Sequence, residues 1–141
     1  MALLTLSIWP VYALDDAQGS LMSVEDRSLA HQALQAVKRN DWKKAEALIA
    51  QTRDPLAAKV FYWLYYTEDG KRSVQFNRIS AFVRQNPAWP RQGKMKIAAE
   101  KAMPRELPDA DVIRWFDEFD PLTPEGMERY LQALLQMGAQ E

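Results

Sequence analysis

The sequence predicts an all-α fold, an α-α superhelix or solenoid fragment of about seven short antiparallel helices, and three observations carry that prediction. Apolar residues recur at helical spacing between tight turns. Strand-like alternation is nearly absent. Residues 76–100, FNRISAFVRQNPAWPRQGKMKIAAE, spell a helix, a rigid corner and a second helix in one stretch.

The elements follow in order. Ser23 and Asp26 have capping-box spacing, with Asp in place of the preferred Glu, and Ala30, Ala33, Leu34 and Val37 then mark one face of a first helix that Asn40 ends. Asp41 caps the second helix, whose expected buried stripe is Trp42, Ala45, Leu48 and Ile49. Asp54-Pro55 opens the third, where Leu56, Val60, Trp63 and Leu64 lie on one side and Phe61, Tyr62, Tyr65 and Tyr66 spread over the rest. A helix so apolar all round must be covered on more than one flank.

Glu68-Asp69-Gly70 breaks that helix, and Ser73 is expected to cap the fourth, which carries Phe76, Ile79, Phe82 and Val83 inward. Asn86-Pro87 stops it, because a proline ring disfavours the α conformation in the residue before it. Pro90 is expected in the first turn of the fifth helix, where its missing N–H costs nothing, and Trp89, held between two prolines, plugs the corner. The fifth helix presents Met95, Ala98, Ala99 and Ala102, small enough to admit a close neighbour. Pro104 and Pro108 bracket a turn. The sixth carries Val112, Trp115, Phe116 and Phe119 and stops before Asp120-Pro121. Thr123-Pro124-Glu125 begins the seventh, with Met127, Tyr130, Leu131 and Leu134 inward and Gly138 as its C-terminal cap. Tryptophans at 63, 89 and 115 are spaced by 26, which hints at a helix-pair repeat.

At 141 residues the chain is long enough for one core, removing about two thirds of its unfolded surface from water. A net charge of −1 gives no reason to expect nucleic acid, but the charges are unevenly placed. Between Lys71 and Arg105 nine Lys/Arg face one acid, Glu100, whereas Glu106 to Arg129 holds eight acids against Arg114 and Arg129. The absence of cysteine removes disulfides, thiolate metal sites and cysteine nucleophiles together. Residues 1–13 are read as a trimmed signal peptide: Ala2 to Val11 is a short apolar run, too short to span a bilayer, and cleavage is expected after Ala13. Export to the periplasm follows from that reading, with no transmembrane segment in the mature chain. Residues 14–141 then form the helical domain.

Reactive centres are hard to find in this composition. The only histidine, His31, sits at the edge of the first helix, so neither a Ser-His-Asp arrangement nor a zinc site is expected. Asp109-x-Asp111 and Asp117-Glu118-x-Asp120 lack the glycine and terminal glutamate of a calcium loop, and the first pair reads as helix-start acids. Glu46, Glu68, Glu100 and Glu118 are expected to be solvated or surface partners. No catalytic, cofactor-binding or metal-ligating residue is expected. Two surfaces remain for recognition: a basic band of Arg72, Arg78, Arg84, Arg91, Lys94, Lys96, Lys101 and Arg105, read first as charge balance against the acidic sixth helix, and the aromatic run Phe61 to Tyr66, read first as packing between helices.

The ordered set Trp63, Phe76, Ile79, Phe82, Asn86, Pro87, Trp89, Pro90, Ala99, Glu100, Trp115, Phe116, Pro121, Thr123, Gly126 and Arg129 resembles the pattern of the N-terminal superhelical region of the soluble lytic murein transglycosylases. The resemblance covers roughly residues 30–138 and departs from the family at Ala88 and Lys96. It implies a curved or ring-shaped support for a lysozyme-like domain lying downstream. In that family a glutamate of a Glu-Ser motif in the downstream domain cleaves the MurNAc-GlcNAc bond without water, leaving 1,6-anhydromuramyl ends. No Glu here is followed by Ser, so this chain alone is expected to be inactive. The implied partners are peptidoglycan glycan strands, reached through the downstream domain or the basic band. An uncovered seventh helix, around Leu131, Leu135 and Met137, is expected to promote self-association. The alternative is a free-standing helical-repeat protein-binding module of the cell envelope, which requires a polar outer face on the last helix, supplied by Gln132, Gln136 and Gln140.

Overall fold

The computed structural model describes residues 22–68 and 73–138, and every regular element among them is an α-helix. The fold is all-α, with seven helices among the described residues. The signal-peptide expectation for residues 1–13 lies outside those residues, as do Arg72 of the basic band and Gln140 of the polar face expected on the last helix. No described helix is long and apolar enough to cross a membrane. The chain divides into two compact units at the boundary between Pro55 and Leu56.

The first unit holds α1 (Val24–Lys38) and α2 (Trp42–Ile49), which pack against each other. Ser23 caps α1 by accepting a hydrogen bond from the Asp26 amide at 3.0 Å. Asp26 does not reach back to complete a capping box; its carboxylate is buried and accepts from the Arg53 amide at 2.9 Å, tying the segment after α2 to the first turn of α1. The α1–α2 turn depends on Asn40, whose φ of 60° is left-handed and which accepts from Trp42 Nε1 at 2.8 Å. Asp41 caps α2 through the Lys44 amide at 3.1 Å. The face of α1 that is buried runs through Ala33 and Ala36, not through Leu34, which is exposed. Two alanines let the backbones of α1 and α2 approach closely, a geometry the bulkier Leu34 would not permit.

The second unit is built from α3 (Pro55–Thr67), α4 (Phe76–Gln85), α5 (Gln92–Lys101), α6 (Asp109–Glu118) and α7 (Pro124–Gly138). α4 packs on α5, α6 packs on α7, and α5 also meets α7. Their shared core contains Tyr66, Ile79, Val83, Met95, Ala99, Val112, Trp115, Phe116 and Ala133. In α3 the fully buried residues are Ala57, Phe61, Tyr66 and Thr67, while Leu56 faces solvent, so the predicted stripe is turned about the helix axis. Large aromatic rings bury more area than Leu56 could and win the inward positions.

The α4–α5 corner is where sequence and structure agree in substance and differ in detail. Asn86 ends α4, buried, with its side-chain amide on the Phe82 carbonyl at 2.9 Å. Trp89 packs its ring against Trp63 and Phe82, at centroid distances of 6.2 and 5.9 Å. Trp63 Nε1 donates to the Pro90 carbonyl at 2.9 Å, which fixes the corner to α3. Pro90, however, lies before the helix, because Arg91 takes a left-handed φ of 62° at the N-cap and α5 starts at Gln92. The start of α4 also shifts: Gln75 is its N-cap with no side-chain bond, and Ser73 serves through its carbonyl, accepting from the Tyr65 hydroxyl at 3.1 Å. The tryptophans spaced by 26 do not occupy equivalent places, since Trp63 and Trp115 are inside helices and Trp89 is in a turn.

α7 departs furthest from its predicted face. Gly126 and Ala133 are its buried residues, whereas Met127, Leu131 and Leu134, expected inward, are 46%, 51% and 40% exposed. Small residues allow α7 to lie close to its neighbours, and the larger side chains rotate out of that contact. Leu135 and Met137, expected with Leu131 on an uncovered outer face, are exposed as well.

Candidate functional site

The densest polar constellation among the described residues lies where α5 meets the start of α7. Glu100, in the last turn of α5, is only 7% exposed. Its carboxylate accepts from the Leu122 amide at 2.8 Å, from the Thr123 amide at 2.8 Å and from the Thr123 hydroxyl at 2.6 Å. Thr123 Oγ1 in turn accepts from the Gly126 amide at 2.9 Å, so it caps α7 while donating to Glu100. A buried carboxylate is tolerable when its lone pairs are filled by donors, and the partial positive charge of a helix N-terminus adds to the effect.

Gly126 is required at this spot by space. A Cβ built on it would overlap the Glu100 carboxylate, and its nearest further neighbour is Thr123 Oγ1 at 3.0 Å. Three residues on, Arg129 extends the junction to the α5–α6 turn. Its guanidinium donates to the Leu107 carbonyl at 2.7 Å and pairs with Asp109 at 3.0 Å, with both side chains about a fifth exposed. Residues spread from 100 to 129 therefore converge on one task, holding the end of α5, the entry to α6 and the start of α7 together.

This corrects the reading of Glu100 as a solvated or surface glutamate. The sequence signal was available in Thr123-x-x-Gly126, which combines a cap with a missing side chain, but nothing local shows that the missing volume belongs to an acid 26 residues upstream. Glu100 is hydrogen-bonded into a helix end; it does not stand against apolar walls as a proton donor of glycosidic cleavage must. Of the other glutamates, Glu118 is exposed and bonded to Arg84 at 2.6 Å, Glu68 is exposed and 3.4 Å from Arg91, and Glu46 is half-buried.

His31 is exposed on α1, 3.5 Å from the Gln35 amide. Asp111 pairs with Arg114 at 2.7 Å, Asp109 with Arg129, and Asp117 accepts from the Tyr130 hydroxyl at 2.8 Å. That bond, which requires the phenol to keep its proton, raises the Tyr130 pKa above 10.0, with partial desolvation and the charges of Asp117 and Asp120 adding to it. Among the described residues no group of three His, Cys, Asp or Glu could hold a metal ion.

The basic band is largely engaged within the chain. Arg84 reaches α6 through Glu118 and lies over the Trp115 ring at 5.3 Å. Arg91 lies over Trp63 at 5.5 Å, Arg78 over Tyr62 at 5.2 Å, and Lys96 over Phe119 at 4.4 Å. Lys94 approaches the Thr67 carbonyl at 3.5 Å. Charge balance against α6 thus accounts for Arg84, while aromatic faces hold several of the rest. Lys101 and Arg105 are exposed and make no ion pair. In the aromatic run, Phe61 and Tyr66 are buried and Tyr62, Trp63 and Tyr65 are half-buried.

No family model matches this chain, and no curated protein or solved structure is detectably similar to it.

Proposed function

We propose that this chain is the helical scaffold portion of a periplasmic lytic transglycosylase-like protein acting in peptidoglycan cleavage and turnover, with no catalytic centre in these residues. One observation carries the reading. Motif residues that prompted the resemblance, Glu100 and Thr123-x-x-Gly126-x-x-Arg129, form one structural junction in which the Glu100 carboxylate, the Thr123 hydroxyl and the terminal guanidinium nitrogens of Arg129 are spent on holding helices, with the buried Arg129 Nε alone left without a partner. Residues committed to architecture suit a support better than an active site. In this reading glycan strands are handled by a lysozyme-like domain, and the helices position it.

The free-standing binding module is the second reading, and the face of α7 weighs against it. A terminal repeat needs a wettable outer surface. Gln132 and Gln136 are exposed there, but Leu131 and Leu135 stand beside them at 51% and 74% exposure. Such a face supports coverage by a further helix. The coding frame past Glu141 tests the choice: the scaffold reading expects more helix pairs and then a Glu-Ser segment in a lysozyme-like domain. A stop codon directly after Glu141 would overturn it in favour of the module.

A further inference from the structure

A cleft of about 680 Å³ lies between the end of α5, the turn that follows it and the first turns of α7. That volume falls within the range of small-molecule sites. Its charges are sorted by wall. Lys101 and Arg105 stand on the α5 side, and Glu125 and Glu128 on α7. All four are exposed, and none makes an ion pair, although opposite charges line the same cleft. The cleft holds them apart. Glu100, also in its lining, is already engaged with Leu122 and Thr123, and Arg129 holds Asp109 and Leu107 through its terminal nitrogens while its buried Nε has no partner; Glu128 accepts from the Gln132 amide at 3.1 Å through one oxygen and keeps the other.

Charge decides the ligand class. A simple anion drawn to Lys101 and Arg105 is repelled by Glu125 and Glu128, and a simple cation meets the converse. A molecule carrying both signs at its two ends satisfies both walls. An extended chain covers about 3.3–3.6 Å per residue, so a peptide of two or three residues carries its opposite charges on the scale of neighbouring helices, whose axes lie about 8–10 Å apart. We propose that this cleft binds a short zwitterionic peptide, its carboxylate toward Lys101 and Arg105 and its ammonium toward Glu125 and Glu128.

The inference goes beyond the scaffold reading and stands or falls separately from it. The test is an amide ¹H–¹⁵N titration of the purified chain with trialanine, alongside N-acetyl-trialanine amide, which keeps the backbone and loses both charges. Saturable shifts confined to residues 101–105 and 125–132 are expected, with affinity at least about tenfold weaker for the blocked peptide. The double reversal K101E/R105E, at exposed and unpaired positions, is expected to weaken trialanine by a similar factor while helical circular dichroism is unchanged. The proposal is overturned if trialanine gives no saturable shift up to about 20 mM, if the blocked peptide binds equally well, or if the reversed variant binds as the native chain does.

Discussion

Replacing Gly126 by alanine sets two effects of known sign against each other. On an open helix surface Gly→Ala is favourable by up to about 1 kcal/mol, because alanine loses less backbone freedom. At this position the new methyl must displace a carboxylate that is 7% exposed and held by three hydrogen bonds, an overpacking that typically costs about 1–3 kcal/mol. Overlap wins, and G126A is expected to destabilise the fold by roughly 1–2 kcal/mol. Glu100→Ala removes the obstacle and leaves buried donors at Leu122 and Thr123 without their acceptor, for a larger loss of about 3–5 kcal/mol. In that background G126A is expected to be neutral or stabilising. The double-mutant cycle should therefore return a coupling of about 2 kcal/mol. Urea unfolding followed by circular dichroism at 222 nm measures it, in ammonium sulfate if E100A is too unstable in buffer alone. A raised midpoint for G126A, or an equal cost in both backgrounds, would refute the junction.

Three further expectations concern its surroundings. Arg129→Met keeps most of the aliphatic stem but loses the Asp109 pair, whose side chains are both about a fifth exposed, and the bond to the Leu107 carbonyl, and should cost about 2–4 kcal/mol in the same unfolding assay. Asp117→Asn weakens the hydrogen bond and removes the charge that together keep the Tyr130 phenol protonated, so absorbance titration should show one tyrosine moving down toward 10.0. The sign is that of a raised folded-state pKa: stability from this pair is present below the unfolded value and lost as pH rises through the folded one, and D117N should flatten that alkaline loss. At Arg91, whose φ is 62°, the glycine variant should be more stable than the alanine variant by about 1 kcal/mol, because both lose the guanidinium and only glycine is free of left-handed strain. Equal midpoints for R91G and R91A would contradict that.

How far the fold could be read from the residues depended on the range of the signal. Helix periods and short capping side chains act within one or two turns, and Ser23, Asp41 and Thr123 cap where their spacing places them. The Asn86-Pro87 stop is equally local, and α4 ends at Gln85. What escaped was set by partners far along the chain. Asp26 and Glu100 look like ordinary helix-surface acids until Arg53 and Thr123 arrive with unfilled amides. The inward face of α7 is chosen by Gly126 and Ala133, which close approach favours, over leucines that a hydrophobicity pattern ranks higher. Arg91 escaped for a further reason: nothing in its identity announces a left-handed residue, and the contacts of its guanidinium with the Trp63 ring and Glu68 become visible only in the fold.

Catalytic emptiness is the claim on which the scaffold account rests, and digestion of peptidoglycan examines it most directly. Purified sacculi incubated with this chain, with the soluble fraction read by mass spectrometry, should release no anhydro-muropeptides, and the native chain and E100Q should give identical traces. Anhydromuramyl products from the native chain that vanish in E100Q would place a working acid in the α5–α7 junction and contradict the account.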